Sequence, residues 1–318
     1  WMNVTKFGGR RVAVLAVAAV GSLVLAACGS SSSGGGSSSA SGSASGSSSA
    51  ADGAVPAVAA LVPDQYKSTP INNGFYNDYP PQEFLQGDQL TGIQYDLVTE
   101  MAKVAGVKVN FISVGGFDTL IPGITSGRYD MSSGDFGVTA DRVKQVDFVT
   151  QFAIGTGFAV KTGSAIKVNQ ATDLCGHSVG VQAGSYFIDQ LKEANAECTK
   201  AGLKPIDTQT FPNDTSRTQA AVNGRIEITA TSADALGYAI SSQNVPLVMQ
   251  PFVYAPTEQG IIFPKGSKLG AAMQAALQEL VKNGTYLTVL KKWGVESVAY
   301  STPDQVKYIT DVSQIPAS

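Results

Sequence analysis

Histidine is almost absent from this chain, with one residue in 318, and cysteine occurs only three times. None of these falls in the close Cys/His spacing that zinc sites use, so neither a metal nor another cofactor is expected. Charge is also sparse: Asp, Glu, Lys and Arg make up 15% of the residues and the balance is −3. Such a surface offers a polyanion no electrostatic footprint, which excludes nucleic acid as an expected partner. The apolar run from Val12 to Leu25 is short for a membrane span, and no transmembrane pattern follows it. What the chain does have is length and apolar content, 318 residues at 43% hydrophobic, enough for two domains with their own cores.

Lys6, Arg10 and Arg11 stand ahead of the apolar run, the charge order of an export signal. The pair Arg10-Arg11 is a weak hint of twin-arginine export. The run closes on Leu25-Ala26-Ala27-Cys28-Gly29, which resembles the lipobox of bacterial lipoproteins. That resemblance implies a signal peptide over 1–28, cleavage before Cys28 and lipidation of its sulfur, each buried methylene being worth about 0.8 kcal/mol. An ordinary secretory signal with an incidental cysteine is the alternative. Residues 29–55 are dominated by Ser, Gly and Ala and cannot bury enough apolar surface to order themselves. They read as a flexible tether, and about 22 such residues reach roughly 25 Å. The expected location is extracytoplasmic, lipid-anchored to the outer face of the cell membrane.

The densest signals run from Gly116 to Phe148. Asp118 is placed to cap a short helix carrying Leu120, Ile121 and Ile124, with Gly127 as a left-handed stop. Tyr129 to Ser133 reads as a short strand. Past Phe136, Thr139 can cap a turn whose free amides, together with Arg142, make a carboxylate trap. In order, Phe117-Asp118-Thr119-Leu120-Ile121-Pro122, Gly127-Arg128-Tyr129-Asp130, Thr139-x-x-Arg142 and Val146-Asp147-Phe148 resemble the extracellular solute-binding proteins of family 3. These are the polar-amino-acid receptors of ABC importers, and the resemblance extends from about Tyr66 to Val295.

The resemblance implies an α/β protein with a two-lobed periplasmic-binding-protein-like fold: two doubly wound lobes joined by a two-crossing hinge. Lobe 1 is expected over 56–159 and 256–318, and lobe 2 over 160–255. Residue patterns lead the same way. Ile93, Leu97, Met101 and Val104 have helical spacing with Gly106 as the stop, and Val107, Val109 and Phe111 alternate as a strand. Strand, helix, strand implies parallel pairing with a right-handed crossover. Pro80-Pro81 forbids helix and presents Tyr79 at a strand end. Phe152 to Val160 reads as one continuous apolar strand. Ser178 to Gln182 reads as another, followed by a turn at Ala183-Gly184 and a helix capped by Ser185 that carries Phe187, Ile188 and Leu191. Helices near Thr215–Asn223 and Ala233–Ser241 alternate with strands near Ile206, Ile226 and Val245. Gly260 to Pro264 resembles the family strand by which the chain returns to lobe 1, and helices follow over Leu269–Lys282 and Tyr286–Trp293. With Cys28 lipidated, Cys175 and Cys198 remain to form a disulfide that closes about 24 residues and is worth about 3 kcal/mol, two reduced core cysteines being the alternative. His177 reads as a surface or turn residue.

For the site, the resemblance implies that Tyr79 and Phe117 lie against the ligand near Phe136, with plain core packing as the alternative. It gives the α-carboxylate to Arg142, with Thr139 as its motif partner, and a second contact with that group to the loop of Ser185 and Tyr186. Gln182 would face the ligand side chain. Two departures stand out. Ser232 occupies the position of the family's ammonium-binding aspartate, seven residues after Arg225 of the segment Gly224-Arg225-Ile226-Glu227, and Asp234 lies two residues further on. Asp135 replaces a residue that is ordinarily neutral, and Gly137 one that ordinarily carries a hydroxyl. An ammonium facing only Ser232 in a closed cleft would be costly, so Asp135 is expected to supply the missing carboxylate. A different ligand class (an opine, a small carboxylate with a distant amine, or a polyol-like acid) is the alternative. The expected function is capture of a small polar solute, an amino acid or derivative, for delivery by a monomeric receptor to the permease of an ABC transporter. Two alternatives remain: a cyclohexadienyl dehydratase-like enzyme with Asp135 or Glu227 as general acid, or a ligand-sensing domain acting through another protein.

Overall fold

The computed structural model describes residues 53–254 and 256–315, so the expected signal peptide, Cys28 and nearly all of the tether lie outside the described residues. Two short helices, α1 (Pro56–Ala59) and α2 (Asp64–Ser68), precede strand β1 (Ile71–Tyr76). A three-stranded antiparallel meander follows: β2 (Asp78–Tyr79), β3 (Glu83–Gln86) and β4 (Gln89–Thr91). Next come α3 (Ile93–Ala105), β5 (Val109–Val114), α4 (Leu120–Thr125), β6 (Met131–Gly137), α5 (Ala140–Val143) and β7 (Val146–Ile154). Helix α3 forms because Ile93, Leu97, Met101 and Val104 make one buried stripe, and it ends where Gly106 adopts φ 69°.

The second part of the chain is β8 (Thr156–Lys161), β9 (Ser178–Gln182), α6 (Phe187–Lys200), β10 (Asp207–Phe211), α7 (Asp214–Val222), β11 (Ile228–Ser232), α8 (Ala233–Ser241) and β12 (Leu247–Val253). The chain then returns through β13 (Thr257–Pro264), α9 (Lys268–Asn283), α10 (Thr285–Lys292) and the short edge strand β14 (Tyr308–Ile309).

Besides the meander, the pairing yields two larger sheets, and hence two lobes. Lobe 1 has six strands in the order β14-β7-β13-β6-β1-β5, with β1 parallel to β5 and β6. Lobe 2 has five, in the order β10-β9-β11-β8-β12, with β9 parallel to β10 and β11. Both faces of the lobe 1 sheet are covered: Leu97, Met101, Phe152 and Leu277 share one apolar cluster, and Leu120, Phe136, Phe148 and Ile262 another. Lobe 2 has the same plan around Phe158, Val179 and Leu191 on one side and Phe211, Ala220 and Leu236 on the other. The disulfide between Cys175 and Cys198 is formed, with Cα atoms 5.7 Å apart, and ties α6 to the chain entering β9. Among the described residues no helix is long and apolar enough to cross a membrane.

Several expectations need correction. The apolar run from Phe152 to Val160 is two strands in different sheets, and the crossing lies at Gly155, ahead of the expected boundary at 159/160. Both halves of the run are buried in their own sheets, so hydrophobicity does not register the change of lobe. A Cβ on Gly155 would sit 2.5 Å from the Tyr254 carbonyl oxygen, so the two hinge segments can run side by side only with glycine there. Asp118 does not cap a helix: it lies within a 3₁₀ turn, Phe117–Thr119, that leads into α4. Ser185 does not cap α6 either, because its hydroxyl is spent on the Gln182 carbonyl at 2.7 Å and the helix begins at Phe187. The strand expected from Tyr129 starts at Met131 and continues to Gly137.

Candidate functional site

Doubly wound sheets gather ligands at the carboxyl ends of their strands. Here the ends of β1 and β6 in lobe 1 face those of β9 and β11 in lobe 2. Between them is a cavity of about 20 Å³ lined by Tyr79, Phe117 and Asp135 from lobe 1 and by Gln182, Ser185, Tyr186, Phe187 and Ser232 from lobe 2, with Gln259 from the return strand β13. That is room for about one water, whereas pockets for small ligands run to roughly 300 Å³ or more. The lobes must therefore part to admit a solute.

Hydrogen bonds across the cleft hold it shut. The Tyr79 hydroxyl donates to Ser232 Oγ at 2.6 Å, and Gln82 Nε2 donates to Asp234 Oδ2 at 2.6 Å. Arg142 Nη2 donates to the Gly184 carbonyl at 2.8 Å. At the rim, the Asp78 carboxylate accepts from the Thr215 amide at 3.0 Å and from its hydroxyl at 2.6 Å.

Arg142 sits at the start of α5, where Thr139 Oγ1 accepts the Arg142 amide at 3.4 Å, the cap its sequence position suggests. Its Nη1 donates to the Gly137 carbonyl at 2.9 Å, and its guanidinium lies 5.7 Å from the ring centres of Phe117 and Phe136 and 5.9 Å from that of Tyr186. Phe117 and Phe136 stack on each other at 4.8 Å. Tyr186 can close this aromatic box because position 137 is glycine: a Cβ there would meet the Tyr186 ring at 2.5 Å. The departure at Gly137 thus makes space for Tyr186. Burial lowers the Arg142 pKa to about 10, with Tyr186, Asp189 and Asp135 opposing the shift, so the side chain remains a cation at neutral pH.

Arg142 itself is not among the residues that line the cavity, and the one charged group that does, Asp135, is an acid. Asp135 is 6% exposed, adopts φ 54° and has Oδ1 buried without a hydrogen-bond partner. Burial pushes its carboxyl well above the usual range and Asp234 adds to this, while Arg142 pulls the other way. Asp234 is itself raised by burial against the hydrogen bonds it receives, and its Oδ1 is unpartnered. Glu83, wholly buried on β3, is pushed up by burial and then by Asp135, with the Tyr76 backbone amide pulling the other way. Among the described residues no three His, Cys, Asp or Glu side chains are grouped so as to hold a metal ion.

Of the residues singled out by sequence, Tyr79, Phe117, Asp135, Gln182, Ser185, Tyr186 and Ser232 line the cavity together. Phe136 lies beneath Phe117 and Arg142. Thr139 faces a separate, open groove beside Asp141, Asp189 and Glu258 and acts on Arg142 through its cap. Glu227 is outside the cleft: it is about half exposed and accepts from the Ser178 amide at 3.0 Å, at the far end of β9, with His177 Nδ1 at 3.2 Å. Sequence reading missed Gln82, Glu83, Phe187 and Gln259 as site residues, and noted Asp234 without assigning it. A glutamate in a short strand ordinarily reads as solvent-facing, so Glu83 carried no signal.

Comparison with known proteins agrees with the two-lobed α/β fold. Residues 71–296 match the sequence profile of the bacterial extracellular solute-binding proteins, family 3. The arginine-binding protein ArgT of Corynebacterium glutamicum is 25% identical over 245 residues, covering 76% of this chain and 80% of ArgT. The probable histidine-binding protein of Campylobacter jejuni is 27% identical over 226 residues, covering 69% of this chain and 82% of its own. The solved structure of an ancestral arginine-binding protein bound to arginine is similar with a TM-score of 0.63 at 31% identity, over 70% of this chain and 97% of that one. With the profile spanning the body from β1 to the end of α10, and a cleft between two α/β lobes, the chain belongs to the bacterial extracellular solute-binding proteins of family 3.

Proposed function

We propose that the solute is an amino acid with a cationic side chain, held by its α-carboxylate on Arg142 and by its positive groups on Asp135 and Asp234. The chain is the substrate-binding component of an ABC importer, capturing an amino acid or derivative between its lobes for a membrane permease. The observation that carries the cationic reading is Asp135, a buried carboxyl in the cavity wall with an unpartnered oxygen. Around it the acidic groups Asp234 and Glu83 outnumber the single cation, Arg142. A neutral amino acid brings one positive group to this wall, and a cationic one brings two. The arginine named for ArgT and for the ancestral protein supports the same class.

In this reading Tyr79, Phe117, Phe136 and Tyr186 enclose the solute, Gln182, Ser185 and Ser232 supply polar contacts, and Thr139 holds Arg142. Export and lipidation at Cys28, a tether over 29–55 and a monomeric body anchored outside the cell membrane belong to the same proposal. We read the body as a binder, as the names of its relatives suggest; of the two general acids considered for an enzyme, Glu227 is outside the cleft and Asp135 is in it.

A thermal-shift screen with arginine, lysine, histidine, glutamine, cystine and amine-free acids tests this. At 100 times its dissociation constant the solute adds about 2.7 kcal/mol to stability. The expected result is a shift with one or more cationic amino acids well above that with glutamine. A shift confined to neutral amino acids or amine-free acids overturns the cationic reading.

A further inference from the structure

We propose that Tyr186 sets the length of the solute: its ring is the partition that ends the cleft beyond the α-carboxylate, and it confines the receptor to free amino acids. This rests on the reading above for the place of the carboxylate, at Arg142. It goes beyond that reading by naming the side chain that turns away peptides and other solutes extended at that end.

Two hollows lie on either side of this residue. One is the interior cavity of about 20 Å³. The other is the open groove that Thr139 faces, about 680 Å³, bordered by Asp141 and Glu258 from lobe 1 and by Asp189, Gln190 and Glu193 from lobe 2. Among the described residues, Tyr186 alone lines both.

The ring is pinned from three sides. Phe187, at the start of α6, packs against it with ring centres 4.5 Å apart. Toward lobe 1 it lies 5.9 Å from the Arg142 guanidinium and fills the space left by Gly137, where a Cβ would meet it at 2.5 Å. At its tip the hydroxyl accepts Gln259 Nε2 at 3.2 Å, and the same nitrogen donates to the Thr257 carbonyl at 3.0 Å. With 8% of its surface exposed, Tyr186 cannot swing aside without giving up packing in both lobes.

Position then gives direction. Because Tyr186 stands beside Arg142, its ring is met by whatever follows the carboxyl carbon of the solute. A peptide places its second residue there and collides with a ring that has nowhere to go. With the ring removed, that residue would run out into the groove, where every charged lining residue is an acid. A cationic extension is favoured there over an anionic one.

Calorimetry with the full chain separates length from charge. L-argininamide lacks the carboxylate charge of L-arginine but adds no length, so its loss of affinity measures the charge alone. L-arginyl-L-lysine lacks the same charge and adds a residue. In wild type arginyl-lysine should bind on the order of 100-fold more weakly than argininamide. In Tyr186→Ala the two should fall within about threefold of each other, while arginine itself weakens about tenfold for want of the ring. Tyr186→Phe, which keeps the ring, should keep the limit. In Tyr186→Ala, L-arginyl-L-glutamate should bind more weakly than arginyl-lysine, and equal binding of the two overturns the groove as the space behind the ring. Wild type binding arginyl-lysine as well as argininamide, or Tyr186→Ala still excluding it, overturns the partition. If Tyr186→Ala does not fold, Gly137→Ala decides, since its Cβ must push the ring out of place and relax the same limit. Should L-citrulline, the uncharged analogue of arginine, bind better than arginine, the cationic reading fails. The length limit is then read in the same way on citrullinamide and citrullyl-lysine, so the two failures are distinct.

Discussion

Arg142 and Asp135 lie seven residues apart, one in α5 and the other in β6, yet their surroundings are built on opposite plans. Arg142 is complete as it stands: two backbone carbonyls accept its terminal nitrogens and three aromatic rings surround its plane. Asp135 is incomplete, with a buried oxygen that lacks a donor and acidic neighbours that work against its charge. A group whose needs are met by the protein can hold any solute of the right class, and on the proposed reading Arg142 is a general carboxylate anchor. A group whose needs are unmet rewards only the solute that meets them. The proposed reading thus gives selectivity to the acidic groups and basal affinity to the arginine.

The sharpest way to break this contrast is Arg142→Ala. Removing one partner of a buried, hydrogen-bonded charge pair costs about 2–5 kcal/mol in binding, so arginine and citrulline should both lose on the order of 100-fold in affinity or more. Arg142→Lys keeps the charge and loses the planar fork, and should recover only part of the loss. Calorimetry with both solutes reads the result. A loss for arginine alone would mean that Arg142 selects for charge rather than anchoring the carboxylate.

A smaller effect is expected from Asp135→Asn, and it depends on pH. The folded protein holds the Asp135 carboxyl well above its unfolded range, so the folded state binds the proton more tightly than the unfolded one. The stability this contributes is fully present below the unfolded value, near pH 4, and is lost as pH rises through the raised folded value. Asparagine cannot ionise and tolerates the left-handed φ of 54° that Asp135 adopts. The melting temperature of the variant should therefore gain on wild type between pH 4 and 8, by roughly 2–4 °C for each kcal/mol. Saturating arginine should reverse the order, since wild type binds it more tightly. A difference that stays constant with pH would mean that Asp135 is charged and compensated in the empty cleft, which would erase the contrast with Arg142.

Much of this architecture was legible because the relevant signals are local. Gly106 ending α3, Thr139 capping α5 and Arg142 in its first turn are relations within a few residues, which a sequence displays directly. Sheet membership is not local. Nothing in the apolar run through Gly155 distinguishes a strand of lobe 1 from one of lobe 2, because both are buried on both faces. Ser185 and Asp118 have capping side chains in plausible places, and each was overruled by a turn that fixed the backbone before the helix began. The acidic groups were half visible. Asp135 stood out as an unusual residue within a familiar pattern, whereas Glu83 became notable only once the meander had folded it away from water.

The smallest expected effect lies at the rim, where Asp78 separates closure from recognition. Its carboxylate accepts the amide and hydroxyl of Thr215, in the first turn of α7 on the opposite lobe, while α7 is capped within its own lobe by Asn213, which accepts the Ser216 amide at 2.9 Å. Asp78 is thus an anion at a helix N-terminus that it can reach only when the lobes are together, an interaction worth about 0.3–1 kcal/mol. It favours the closed state whichever solute is inside, and a solute binds more weakly by the factor that closure loses. Asp78→Asn should weaken arginine and citrulline alike by about two- to fivefold and leave the ratio of their affinities unchanged. The route by which this expectation could fail is visible: burial raises the Tyr76 hydroxyl, Asp78, Asp214 and Glu83 all act on it, and it accepts the Asp214 amide at 3.3 Å. A shift in the arginine-to-citrulline ratio would mean that the rim acts through Tyr76 on the buried carboxyls, so that closing the cleft and selecting charge are one process rather than two.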